Sequence, residues 1–271
     1  MPLSFWNRKN RPSSESSTIS TISPRAYDPV KGDPQLVSAV TDFAQQLITT
    51  TNGVLPGEIA FSVRVSDQHI TINQENSAGI PLLVGGEQLL WLGVNFRCIW
   101  NSDKEFFAID TSSFRVQPVR SNTPLFTFDY LRTPNSSTVP CSHINVHAHR
   151  DEVVAAMLQS GKRHRGKTRA KAVDSGKIPS LSQVHLPVGG HRFRPCIEDV
   201  LQMLIVEFGI DTKPGYQAVL DAGRSDYRST QLRTAITDDL ELAAEMLRER
   251  GYEVTRTSEA SIRRHDRFAA F

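Results

Sequence analysis

The chain has 271 residues, 39% of them apolar and 22% charged, with a formal net charge of only +2. That balance fits a folded protein with polar tails and excludes a polycation as a whole. No run reaches the roughly 20 apolar residues of a membrane helix, so no membrane partner is expected.

Cys98, Cys141 and Cys196 are odd in number and widely spaced, which argues against a disulfide framework and a CxxC zinc site. The first residues, MPLSFWNRKNRPSSES, lack the apolar stretch of a signal peptide, and a cytoplasmic location is expected. Residues 1–30 are rich in Ser, Thr, Pro and Arg and read as a disordered arm. Asp33-Pro34 then predicts a helix start, since Asp caps well and Pro suits the first helical position. Leu36, Val40, Phe43, Leu47 and Ile48 share its apolar face, and Asn52-Gly53 predicts its end.

From Glu58 to His149 the pattern changes to period two. IAFSVRV and HITINQ predict a hairpin. LLWLGVNFRCIW predicts a long strand with Leu90, Leu92, Val94, Phe96, Cys98 and Trp100 on one face. EFFAID, SFRVQPV, LFTFDY and CSHINVHAH continue a meander.

Asp151 opens a short helix, DEVVAAMLQSGK. The run KRHRGKTRAK, residues 162–171, carries six Lys or Arg and no acid. It is read as a basic loop over 161–180. Lys162, Arg163, Arg165 and Lys167 either hold a polyanion there or keep a solvated loop soluble. LSQVHLP predicts a short strand, and CIEDVLQMLIVEFGI a helix whose Glu198 and Asp199 suit the positive N-terminus. Two more helices are expected near 224–236 and 238–250, then a frayed tail over 252–271. The expected fold is α+β. An antiparallel sheet of about six or seven strands, within 58–149, is packed by the N-terminal helix and completed by a helical part over 195–251, making one unit from 31 to 251.

Two segments carry candidate chemistry. On the CSHINVHAH strand, His143, Asn145, His147 and His149 share one face, while Ile144, Val146 and Ala148 share the other. In LSQVHLP, His185 lies between Val184 and Leu186. If the two strands are neighbours, His185 faces His147 at a Cβ separation of about 5 Å. His191 follows inside GGHRFRP, where Gly189 and Gly190 permit a tight turn before a helix N-terminus. Arg192 and Arg194 there offer forked donors to a phosphate. The plain alternative is a tight loop in which Arg194 pairs with Glu198 or Asp199.

Three readings of the histidines stay open. In the first, His147, His185, His149 and His191 do metal-free acid–base chemistry on an RNA phosphodiester, with the arginines and the basic segment binding the backbone. In the second, His147, His149 and His185 ligate a divalent metal in a hydrolase. In the third, the face is a polar surface that holds nucleic acid or protein without catalysis.

LFTFDY followed by the alternating histidines of HINVHAH resembles the TumE-like toxins of prokaryotic toxin–antitoxin pairs, over roughly residues 90–150. The chain departs from them in having Thr127 where their segment has a basic residue, and in its HxxxHxH spacing. HLPVGGHRFRP and the C-terminal helices are similar to uncharacterised actinobacterial proteins. The resemblance implies a toxin or defence activity on RNA, and an antitoxin-like protein partner. The expected function is therefore an RNA-directed phosphodiesterase or ribonuclease.

Overall fold

The structure is a computed structural model, and it describes residues 33–66, 69–101, 104, 106–133, 141–147, 151–161, 164–178 and 194–257. The first helix, α1, is Pro34–Val54. Its N-cap is Asp33, whose carboxylate accepts the Gln35 N–H at 2.9 Å. The second oxygen of Asp33 accepts the Trp100 indole N–H at 3.0 Å, which ties the helix start to the sheet. Leu36, Val40, Leu47 and Ile48 are buried as the periodicity predicts. The helix ends at Val54, one residue past the Asn52-Gly53 signal. The Asn52 amide pins the Ile59 backbone through both its N–H (2.7 Å) and its carbonyl (2.8 Å). A side chain on Gly53 would meet Val219 at 3.0 Å, so glycine there lets a later helix approach.

The sheet has seven antiparallel strands: β1 Phe61–Val65, β2 Ile70–Gln74, β3 Ile80–Val84, β4 Glu87–Trp100, β5 Phe107–Pro118, β6 Phe126–Leu131 and β7 Ser142–Val146. Their order is β1-β2-β4-β5-β6-β7, and β3 also pairs with β4. Strand β4 is long enough to pair with β3 over its first half and with β2 over its second. Strand β3 was not anticipated, because IPLLV has no alternation from which a strand could be read. EFFAID and SFRVQPV are not two strands but the single strand β5. Its register shifts between Arg97 and Cys98 of β4, and Asp110 is the extra residue. The last strand is shorter than CSHINVHAH, ending at Val146, although the His147 N–H still bonds the Leu125 carbonyl at 3.0 Å.

The helices that follow are α2 Asp151–Leu158, α3 His164–Asp174, α4 Ile197–Phe208, α5 Tyr216–Asp238 and α6 Leu240–Glu249. The expected basic loop is thus corrected over most of its described part, since α3 occupies it. Lys, Arg and Ala all favour helix, and charge does not forbid one. Arg169 anchors α3: it is buried, and its guanidinium meets both the carboxylate and the carbonyl of Glu207 on α4. Of the two late helices, α5 begins earlier than expected, at Tyr216, and α6, Leu240–Glu249, lies close to its expected span.

Helix α4 ends where glycine is required. Gly209 has φ of 70°, and a Cβ on it would sit 2.2 Å from the Ser160 carbonyl oxygen. Residues of α1, the sheet, α2, α4 and α5 share one apolar core, in which Phe126 of β6 lies against Phe208 of α4. The opposite face of the sheet is polar.

Candidate functional site

The polar face is built by alternation. On β4, Leu90, Leu92, Val94, Phe96 and Cys98 are buried, so Trp91, Gly93, Asn95 and Arg97 point the other way. The register aligns these outward residues with those of neighbouring strands. One row runs Asn73, Asn95, Ser113, Asp129, His143 across β2, β4, β5, β6 and β7. Beside it lies Gly93, Arg115, Thr127, Asn145. On the other side, Arg64 and Thr71 lead to Arg97 and Thr111.

Asp129 is the hub. One of its oxygens accepts the Ser113 hydroxyl at 2.7 Å; the other accepts the Thr127 hydroxyl at 2.5 Å and the Asn145 amide at 2.9 Å. Next in the same row, Asn95 donates to Asn73 of β2. Arg115 is exposed, and its side chain lies over Gly93: a Cβ on that glycine would be 3.4 Å from the Arg115 Nε. Arg97 is ion-paired at 3.2 Å with Asp110. Asn95, Arg115 and Asn145 are exposed, whereas Gln117 at the end of the face is buried.

The expected histidine face is partly in view. His143 and Asn145 do alternate with Ile144 and Val146, which pack against the core. His143 stands opposite Asp129, and His147 follows one residue past β7. His149, His185, Gly189, Gly190, His191, Arg192, Lys162 and Arg163 lie outside the described residues, as does the side chain of Arg165. The pairing of His147 with His185 is therefore not seen. Among the described residues no three His, Cys, Asp or Glu side chains gather as metal ligands, and only His147 of the suggested ligand set is described. Lys167 is exposed on α3. His69 sits at its hairpin turn against the Ser66 hydroxyl at 3.1 Å.

Arg194 pairs with neither Glu198 nor Asp199. Its guanidinium stacks 4.3 Å from the Tyr130 ring centroid, and its carbonyl accepts the Tyr227 hydroxyl at 3.1 Å. Asp199 is held instead by Arg224 at 3.0 Å and Arg228 at 3.5 Å. This cluster joins the sheet to α4 and α5. Burial pushes the Cys98 thiol up from 9.0 to about 12, against the opposing pull of Arg194. Burial also raises the Cys196 thiol, and the carboxylates of Glu198 and Asp199 raise it further. Tyr227 is pushed up to about 12, again chiefly by burial. Arg194 is thus a structural joint at the start of α4.

Asn73, Asn95, Ser113 and Arg115 were not singled out from the sequence. Their signal was present in the polar phase of the same alternation that identified the core face. Neither a family model, nor a curated protein, nor a solved structure matches this chain.

Proposed function

We infer that the protein binds single-stranded RNA across the polar face of its sheet. The observation that carries this reading is the cross-strand lattice of Asn73, Asn95, Ser113, Asp129 and Asn145, flanked by Arg64, Arg97 and Arg115. Amide and hydroxyl side chains offer both donors and acceptors to base edges and 2′-hydroxyls. Guanidinium groups suit phosphates, and the half-buried indole of Trp91 on the same face suits base stacking. A sheet presents such groups at fixed spacing without loss of loop entropy. Asp129 supports a binding role, because three donors already engage its oxygens and fix it within the face.

Fluorescence anisotropy with labelled single-stranded RNA tests the reading. Binding should weaken steeply with salt, and Arg115→Glu should weaken it by about ten-fold and flatten the salt slope by about one phosphate. Absence of binding at low salt would end this reading. The same samples, run on a denaturing gel, test the acid–base alternative. RNA cleavage that survives chelator and disappears in His147→Ala would favour a ribonuclease instead.

A further inference from the structure

Among the described residues, the arm formed by α6 and the end of α5 leaves an apolar face uncovered. None of the residues of α6 is buried, although Leu240, Leu242, Met246 and Leu247 give it an apolar side. These four side chains are 43–53% exposed, and Leu232 (50%) and Ile236 (44%) of α5 add to them. Six large apolar side chains half open to water on one short arm exceed the scattered apolar residues of an ordinary surface.

The charges around this face indicate what covers it. One flank of α6 is already taken by the chain itself: Arg256 meets Glu241 at 2.9 Å, and Arg248 donates to the Val254 carbonyl. The other flank carries Glu245 and Glu249, spaced i,i+4, both exposed and without an ion pair among the described residues. On α5, Arg233 borders Leu232 and is likewise exposed and without an ion pair. The arm thus holds an apolar stripe on each of two helices, with surplus acid beside one and surplus base beside the other. Such a surface is complementary to itself.

We propose that the protein forms a homodimer through this arm, with α6 of one copy against α5 of the other, so that Glu245 and Glu249 meet the partner's Arg233. A two-fold axis uses each contact twice and closes the assembly, leaving no apolar face over. This dimer is independent of the RNA reading.

Sedimentation equilibrium on the full chain, from about 1 to 100 µM, reads the result. The wild type should be dimeric in the upper part of that range. Met246→Glu should be monomeric, with unchanged circular dichroism, because the side chain is exposed in the monomer. Arg233→Glu should raise the dimer Kd by about ten-fold, and the triple variant R233E/E245R/E249R should restore it to near the wild-type value. A monomeric wild type overturns the proposal and leaves the face to another partner. A dimer indifferent to Met246→Glu, or one that the triple variant fails to restore, overturns it too.

Discussion

Asp129 shows how much one side chain can organise on a half-exposed surface. Its two oxygens hold Ser113 from β5, Thr127 from its own strand and Asn145 from β7. Asp129→Ala leaves three donors without their acceptor, although water can reach some of them. The expected loss is about 1–2 kcal/mol, read from urea denaturation midpoints. Asp129→Asn should lose less, since the amide oxygen can still accept. In the sequence Asp129 interrupts a strand pattern, where a carboxylate can be an acid in a site but more commonly makes a turn or a cross-strand contact. Only the register, which brings three other polar residues around it, reveals its role. The histidines stood out for the opposite reason: three in seven positions is unusual whatever their surroundings. Rarity located them, but could not specify what they face.

At the level of elements, the strong periodic signals were legible and the weak ones were not. Helices α1 and α4 combine an N-terminal signal with a continuous apolar face, and both lie close to where the sequence places them. The α3 segment has no wide apolar stripe, and among its described anchors is a long-range ion pair, Arg169 with Glu207, that no local pattern encodes. Strand β5 was read as two because Asp110-Thr111-Ser112-Ser113 resembles a turn. It is instead a bulge followed by a polar row, with Ser112 buried on the inner side. The end of α4 offers a sharp test. Gly209 sits in the left-handed region with the Ser160 carbonyl where a Cβ would go. Gly209→Ala therefore meets both backbone strain and a clash with main chain that cannot swing away. It should cost at least about 2 kcal/mol, seen as a lower thermal midpoint, whereas Gly251→Ala, with open space around it, should cost less.

For the molecule as a whole, the joint between the sheet and the C-terminal helices ties stability to alkaline pH. Cys98 on β4, Cys196 at the start of α4 and Tyr227 on α5 come together around Arg194 and Asp199, and burial raises the pKa of each. In the unfolded chain the thiols ionise near 9.0 and the phenol near 10.0. Below pH 9 all three groups are protonated in both states, and they give stability no pH dependence. Above pH 9 the unfolded chain releases protons that the folded protein retains. The unfolded state then binds fewer protons, and folding stability must fall as pH rises. For Cys98 this loss runs from 9.0 to about 12, where the folded thiol would itself ionise. Each such group contributes up to about 1.4 kcal/mol per pH unit inside its window. Urea midpoints measured from pH 7 to 11 should be nearly level to pH 9 with respect to these groups, then decline. Cys98→Ala and Cys196→Ala together should make the decline shallower while costing little packing volume. An unchanged slope in that double variant would show that the alkaline loss comes from other groups, and that the thiols are no part of what holds the sheet and the helices together.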